Sequence, residues 1–342
     1  MERQWPDEAL DFEAGVRGAL QRAGGVELAR RSEVDPSVRV AVVKPILDEL
    51  GIRDLDLSGS ETEVAATALA VAAAGAFVCP WPLVQQLAVP AALRAEVDAV
   101  YLRDGAVRRA EHLDIVGPAA AVDIVTHEAQ ALRTLDGAGA FVSGMALDPF
   151  GVRCELGAES FELAALIPAH VVLAAFWTVG ALGTARDLAV EHARDRQQFG
   201  RRIADFGAVQ WHLSDIALAH DGLWELAGFS LARVIDQTLT AADTLALQYL
   251  MLESAQTVFI HAHQVLAAIG LCDEHDLTVL ERHVQPLLRR PCGITRTLGL
   301  LAEEVARSGF DNLYPIPAAV PAQDRGHRGG QMQLANDGSG LV

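Results

Sequence analysis

The residues best suited to chemistry lie in one basic, glutamine-rich segment between two apolar stretches. Residues 193–202 read Ala-Arg-Asp-Arg-Gln-Gln-Phe-Gly-Arg-Arg, with Arg196, Gln198 and Phe199 at the centre. Cations at a junction of buried helices are costly unless an anion accompanies them. The planar fork of an arginine makes paired, charge-assisted hydrogen bonds to phosphate. The segment therefore favours a phosphate-binding turn, and the alternative is a loop of solvated cations.

A second polar segment runs from residue 263 to 276 and carries Gln264 and a Glu-His-Asp run, Glu274 to Asp276. These residue types occur in metal and acid–base sites. Acidic residues in the first turn of a helix also stabilise the positive end of its dipole, and we expect a helix to start here. Because no further ligands follow at usable spacing, the sequence predicts no metal site.

Composition excludes several classes of function. The net charge of −18 over 342 residues argues against a nucleic-acid partner, which needs a basic surface. No apolar run is both long enough and free enough of charge to predict a membrane span. The charged N-terminus does not resemble a signal peptide. The four cysteines are scattered without metal spacing, as expected of reduced thiols in a cytoplasmic protein: Cys79, Cys154, Cys272 and Cys292.

The first 96 residues have helical periodicity. Apolar residues predict two amphipathic helices over 8–50, with Gly51 as a C-cap. Ser60 followed by Glu63 has the pattern of a capping box and predicts an alanine-rich helix after it. We expect residues 1–96 to form a helical domain.

The middle of the chain has a different sequence pattern, without helical periodicity. Residues 97–161 contain short β-like runs separated by Gly, Asp and Pro, and they predict a small β-rich domain. The predicted strands are 99–102, 122–126, 139–142 and 152–156.

Long apolar helices follow over 162–312. Pro168 suits the first turn of a helix over 169–191, in which Gly180 and Gly183 would let a neighbouring helix approach closely. Further helices are predicted from residue 206, over 241–267, over 274–289 with a kink at Pro286, and over 294–308. The first four of these helices predict an antiparallel four-helix bundle, to which 294–308 would add a fifth helix. We expect residues 313–342 to form a mobile tail.

Both polar segments resemble motifs of the acyl-CoA dehydrogenase family. Residues 196–200 are similar to its Arg-x-(Gln or Thr)-Phe-Gly motif, and residues 264–270 are similar to its Gln-x-x-Gly-Gly-x-Gly loop. A weaker match covers residues 74–82. The resemblance implies a mainly α fold with an N-terminal helical domain, a reduced central β segment and a C-terminal antiparallel four-helix bundle.

The resemblance also assigns cofactor-binding residues. It implies that Arg196 reaches across a subunit interface to the pyrophosphate of FAD, and that Gln198, Phe199 and Gln264 line the ADP portion of that cofactor. Two simpler alternatives stay open: Phe199 as a core residue and Gln264 as a solvated glutamine at a helix end.

The chain departs from the family at several positions. The glycine pair of the second motif is replaced by Ala267-Ala268. A family glutamine at the start of the helix that follows the first motif is replaced by Gly207. Both stretches that cradle the flavin ring are missing from the sequence. The two positions of the family's catalytic carboxylate carry Pro291 and His170. Proline cannot accept a proton, and His170 is either an imidazole base or a hydrogen-bonded core residue.

The sequence therefore predicts a subunit of a heteromeric, FAD-dependent acyl-CoA dehydrogenase with no catalytic residue of its own. It resembles the short subunits of actinobacterial α2β2 enzymes that act on bulky acyl-CoA thioesters such as steroid side-chain intermediates. We expect the partner subunit to carry the catalytic glutamate and to share its FAD. One alternative is a scaffold pseudoenzyme subunit that touches no cofactor. Another is a stand-alone flavoenzyme that uses His170.

Overall fold

A computed structural model describes residues 5–135 and 147–308. Five helices form the N-terminal part: α1 (Asp7–Ala23), α2 (Val26–Val34), α3 (Lys44–Glu49), α4 (Glu61–Ala76) and α5 (Leu83–Leu87). A π-helical turn, Arg39–Val43, precedes α3. Ser60 caps α4 by accepting a hydrogen bond from the Glu63 amide, as predicted. The reciprocal half of the predicted capping box does not form, because the Glu63 carboxylate accepts from the Asp56 amide instead of the Ser60 amide.

A small sheet forms the middle of the chain. Its strands are β1 (Ala99–Arg103), β2 (Arg109–Glu111), β3 (Ala119–Asp123), β4 (Ala129–Thr134) and β5 (Gly151–Phe161). The spatial order is β1-β3-β4-β5-β2, with β1 and β3 parallel and the other pairs antiparallel.

The remaining elements form a helical bundle around one central helix. They are α6 (Ile167–Asp195), the short strands β6 (Gln197–Gln198) and β7 (Arg201–Arg202), α7 (Gly207–Ile235), α8 (Ala241–Leu266), α9 (Asp276–Leu288) and α10 (Ile294–Ser308). Helix α6 packs against α4, α7, α8 and α9. By length and composition α6 could cross a membrane, but 78% of its most apolar 18-residue stretch is buried inside the protein. The bundle therefore uses it as a core helix.

Glycines permit the close crossing of α4 and α6, which joins the N-terminal helices to the bundle. A Cβ built on Gly180 would lie 1.9 Å from the backbone oxygen of Ala72, and one on Gly75 would lie 1.9 Å from that of Trp177. The prediction for Gly180 is therefore confirmed. Gly183 instead faces the His220 side chain of α7, at 3.3 Å.

Most predicted helices match the observed helices closely, whereas the predicted strands do not match the observed sheet. Strands β2 and β4 were not predicted, and the run expected at 122–126 is a strand at Ala119–Asp123. The alanines of β3 have little intrinsic preference for strands, and their burial in the sheet overrides that preference. The expected strand 139–142 and the expected tail 313–342 lie outside the described residues. The domain boundaries stay predictions.

We expect Gly180→Ala to lower the free energy of unfolding by roughly 3 kcal/mol, because a backbone oxygen stands where the new Cβ must go. Gly222→Ala is the matched control: Gly222 is an exposed glycine of α7 with open space around its Cβ position. It should raise stability by about 1 kcal/mol through helix propensity. Denaturant unfolding of both variants measures the difference, and equal effects would contradict the close crossing.

Candidate functional site

The segment between α6 and α7 is a tight β-hairpin rather than an irregular loop. Gln197 and Gln198 pair with Arg202 and Arg201, and Phe199 and Gly200 form the two-residue turn. Both turn residues have positive φ, 54° and 79°, as two-residue hairpin turns require. Such backbone is unfavourable for a bulky residue such as phenylalanine. The chain thus adopts a costly conformation at the point where the resemblance places a cofactor contact.

Phe199 is displayed to solvent. Its side chain is 91% exposed, so the interpretation of Phe199 as a core residue is wrong for this chain. Its ring meets that of Phe206 edge-to-face at 6.2 Å, and the Arg201 guanidinium lies 4.0 Å from the centre of the Phe206 ring. These contacts brace the base of the hairpin while its tip stays free.

Arg196 directly precedes the hairpin and is exposed. Its backbone accepts a hydrogen bond from the Ile203 amide at 2.9 Å, which closes the hairpin. Within the described residues its guanidinium has no hydrogen-bond or ion-pair partner. All five donors of this side chain are therefore available to an external anion.

Gln264 lies at the same end of the bundle as this hairpin. Near the start of α7 and the end of α8, His212 and His261 approach with their Nδ1 atoms 2.5 Å apart. Gln264 is one turn nearer the end of α8 and is exposed. Arg196, Gln198, Phe199 and Gln264 thus share one end of the bundle, and none of the four is buried. We call these four residues the exposed half-site.

The loop after Gln264 keeps a glycine-like backbone without the glycine. Ala267 has φ 52° and ψ −136°, a combination that glycine adopts easily and alanine does not. Gly270 survives, and a Cβ there would lie 2.8 Å from Leu266 Cβ. Ala267 therefore has a backbone conformation that suits the glycine of the family motif, with an added methyl group.

His170, one of the two candidate base positions, lies at the opposite end of α6. It is 5% exposed, and neither ring nitrogen has a hydrogen-bond partner among the described residues. Burial, aided by the nearby Arg290, lowers the pKa of His170 to about 3. The expected hydrogen-bonded core histidine is therefore a buried histidine without a partner. Such an imidazole is a weak base at neutral pH.

A buried ion pair occupies the surroundings of Pro291, the other base position. The Arg290 Nη2 atom lies 2.8 Å from the Glu111 carboxylate, and Gln85 donates to the other carboxylate oxygen at 2.7 Å. The Tyr101 hydroxyl donates to the Glu111 backbone oxygen at 2.8 Å. The adjacent cavity of about 30 Å³ holds roughly one water molecule.

Sequence reasoning missed this ion pair. Glu111 and Arg290 come from strand β2 and from the residues after α9, and no local motif links them. Arg108 and Arg109 lie beside Glu111 in the sequence, so even a recognised β2 would not have pointed to Arg290.

Asp148 lies beside the ion pair and carries the most informative pKa shift of this region. Burial, and then the neighbouring Glu111 carboxylate, raise the pKa of Asp148 to about 6, although Arg290, Arg109 and Arg289 oppose the shift. One of its carboxylate oxygens is buried without a hydrogen-bond partner. The fold therefore disfavours the charged form of Asp148.

The Glu-His-Asp run has a structural role. His275 caps α9 by accepting a hydrogen bond from the Leu277 amide, and the Asp276 carboxylate pairs with Arg30 of α2 at 2.7 Å. The helix begins at Asp276, so Glu274 precedes it rather than lying in its first turn. Within residues 5–135 and 147–308, no cluster of three metal-binding side chains is present.

We expect Asp148→Asn to stabilise the protein above pH 6. The folded-state pKa of about 6 exceeds the unfolded value of about 4, so the wild-type free energy of unfolding falls as pH rises through this window. Asparagine does not titrate there, so the variant should gain on the order of 1–3 kcal/mol at pH 7.5 and lose this advantage below about pH 4.

Denaturant unfolding across this pH range tests that expectation. Asp35→Asn is the control of opposite sign, because hydrogen bonds from Ser37 lower the pKa of Asp35. Its variant should be the less stable protein at neutral pH. A loss of stability in Asp148→Asn at pH 7.5 would show that the arginines dominate the Asp148 environment.

Comparison with known proteins gives matches over the bundle and over the whole fold. Residues 170–288 match the family model described as acyl-CoA dehydrogenase, C-terminal domain. A 131-residue stretch is 29% identical to acyl-CoA dehydrogenase IpdE2 of Mycolicibacterium smegmatis, covering 38% of this chain and 38% of that protein.

Two solved structures resemble most of the chain. One is a variant of the Tcur3481-Tcur3483 steroid ACAD, with a TM-score of 0.71 and 14% identity, covering 88% of this chain and 98% of the other. The second is the ChsE4-ChsE5 complex from Mycobacterium tuberculosis, with a TM-score of 0.69 and 16% identity, covering 90% and 100%. At these identities the likeness shows the fold.

These matches confirm the resemblance inferred from the two polar motifs. Members of this oxidoreductase family normally bind FAD. Residues 170–288 belong to the family of acyl-CoA dehydrogenase C-terminal domains, and the described chain as a whole shares the fold of these solved structures.

Proposed function

We propose that this chain is a subunit of a heteromeric, FAD-dependent acyl-CoA dehydrogenase. It completes the FAD site of a partner subunit through Arg196, Gln198, Phe199 and Gln264, and it leaves proton abstraction to that partner. The observation that carries the proposal is the contrast between the two ends of the bundle. The exposed half-site has free donors, whereas neither of the two base positions carries an effective base.

The exposed half-site fits the phosphate-bearing part of FAD. Arg196 is exposed and unpaired within the described chain, and the hairpin holds it beside the projecting ring of Phe199. Guanidinium groups bind diphosphates by paired hydrogen bonds, and an aromatic ring offers a flat apolar surface to a nucleotide. Because these side chains point away from their own chain, they suit a ligand held by a neighbour.

The base positions of this chain lack a proton acceptor suited to the family reaction. The buried Arg290–Glu111 pair lies beside Pro291, and clefts of about 290 and 500 Å³ open next to that proline. Pro291 cannot accept a proton, and His170 has a pKa of about 3. Neither residue can therefore serve as an effective base at neutral pH. A stand-alone flavoenzyme that uses His170 is therefore disfavoured.

An apolar face on the bundle suits a partner subunit. Trp211 and Leu218 of α7 are 76% and 72% exposed, and Phe229 of α7 and Ile260 of α8 are also exposed. Exposed tryptophan and other large apolar side chains are typical of protein interfaces. The ChsE4-ChsE5 neighbour is itself a complex of two proteins, which supports a heteromeric partner here.

The proposed reaction is α,β-dehydrogenation of a bulky acyl-CoA. In this family a carboxylate removes a proton α to the thioester carbonyl, while FAD accepts hydride from the β-carbon. The steroid ACAD neighbour supports a steroid side-chain thioester as the substrate class. We place the complex in the cytoplasm, in the degradation of fatty acids or steroids.

A scaffold pseudoenzyme subunit is the second candidate. The methyl groups of Ala267 and Ala268 and the missing side chain at Gly207 favour it, because each removes a cofactor contact of the family. The scaffold would bind the partner through the α7 face and leave FAD untouched.

Arg196→Gln distinguishes the two candidates. The chain is co-expressed with the acyl-CoA dehydrogenase-like product of the adjacent gene, and the flavin absorbance of the purified complex is recorded with its native mass. Loss of charge-assisted hydrogen bonds to the pyrophosphate should weaken FAD retention by about tenfold or more, with the native mass unchanged.

Arg194→Gln is the matched control, since Arg194 is also exposed, carries the same charge and lies two residues earlier. Its complex should keep its flavin. Full flavin occupancy in Arg196→Gln would support the scaffold, and equal losses in both variants would show that only net charge matters.

A further inference from the structure

Two histidines on neighbouring helices of the bundle face one another near its surface. His212 of α7 and His261 of α8 are half-buried, and their ring centres lie 4.8 Å apart. Their Nδ1 atoms are 2.5 Å apart. Helix α7 packs along α8, so the two rings meet across a helix–helix contact rather than in a loop. The function proposed above gives this pair no role.

One carboxylate biases the position of the proton on His261. Asp215 lies one turn after His212 on α7, and its carboxylate is 3.6 Å from the Nε2 atom of His261. A carboxylate favours a proton on the ring nitrogen that faces it, which leaves the other nitrogen of a neutral imidazole with a lone pair. His261 therefore presents the lone pair of Nδ1 to His212.

This arrangement has the components of a transition-metal site. Neutral imidazole nitrogen is a common ligand of Zn²⁺, and a ligating histidine usually has a carboxylate or carbonyl near its other ring nitrogen. Tetrahedral Zn²⁺ with Zn–N distances of roughly 2.0–2.1 Å holds two nitrogens about 3.3 Å apart. Small side-chain rotations suffice to widen the observed separation of 2.5 Å to that value.

The surroundings of the pair admit a cation. The side chain of His261 is 23% exposed and that of Asp215 is 51% exposed, so an ion can reach them from solvent. The Asp215 carboxylate offsets part of a positive charge at the pair. The net charge of −18 over the chain also favours the approach of cations over that of anions.

We propose that His212 and His261 bind one divalent transition-metal ion such as Zn²⁺ through their Nδ1 atoms. Asp215 is a positioning residue that orients the His261 ring. Within residues 5–135 and 147–308 no third metal-binding side chain joins the pair, so water completes the coordination. The ion links α7 to α8 one turn before Gln264, near the end of the bundle that carries the exposed half-site.

A plain hydrogen bond between the two rings is the competing explanation. In that case Nδ1 of His212 carries a proton and donates it to Nδ1 of His261, and no ion is needed. Replacing His212 with asparagine retains a side-chain amide that can donate, but removes the imidazole ligand. The metal proposal rests on neither FAD nor a partner subunit, so it and the proposed function can fail independently.

Isothermal titration calorimetry of the full chain with ZnCl₂ tests the proposal. All proteins carry Cys272→Ser, because the exposed thiol of Cys272 could also bind zinc. We expect one saturable Zn²⁺ site, which His212→Asn and His261→Asn each weaken by at least about tenfold, because each removes a ligand. MgCl₂ should not bind there, because Mg²⁺ prefers oxygen ligands.

His127→Asn is the matched control. His127 is exposed and has φ 63°, a conformation that asparagine tolerates. It lines a cleft with Ala241 at the start of α8, whereas His261 lies near the end of that helix. This variant should bind Zn²⁺ within about twofold of its parent, because its ligands are unchanged.

Three results would overturn the proposal. One is the absence of saturable Zn²⁺ binding up to about 1 mM. Another is unchanged binding in His212→Asn or His261→Asn, which would place the ion elsewhere. The third is equal weakening in His127→Asn. Thermal unfolding of each variant establishes that folded proteins are compared.

Discussion

The buried ion pair between Arg290 and Glu111 ties the sheet of this chain to its helical bundle. It joins strand β2 to the segment after α9, Gln85 of α5 donates to the other Glu111 carboxylate oxygen, and Tyr101 of β1 donates to the Glu111 backbone oxygen. Removing one member of such a pair leaves an uncompensated buried charge, which costs about 3–5 kcal/mol. The pair thus links the sheet to the bundle beside Pro291, one of the two base positions.

The other end of the bundle, which carries the hairpin, has strained backbone and exposed side chains. There the chain accepts positive φ at Phe199 and Ala267, two residues whose side chains disfavour it. The hairpin leaves Arg196 without a partner among the described residues and Phe199 almost fully exposed. One end of the bundle carries the buried Arg290–Glu111 pair, and the other presents exposed donors without a partner among the described residues. A single chain with this asymmetry suits half of a shared site.

The helices were predictable from sequence because each carries its own signals. Periodic apolar residues, Pro168 in the first turn and the Ser60 cap fixed their extents to within a few residues. Strand β3 was misplaced because it consists mostly of alanine, and the Arg290–Glu111 pair was missed because its members are distant in sequence. The motif around Arg196 was recognisable from sequence. The strained turn at Phe199 was not predicted, because no residue pattern indicates positive φ at a phenylalanine.

The central claim is that this chain completes a flavin site it does not itself hold. The most direct test measures bound flavin per chain, by visible absorbance and native mass, for the chain alone and for its complex with the acyl-CoA dehydrogenase-like partner. The account predicts a colourless chain alone and a complex with one flavin per partner chain. Stoichiometric flavin on the chain alone would contradict it and would identify a complete, divergent flavoenzyme.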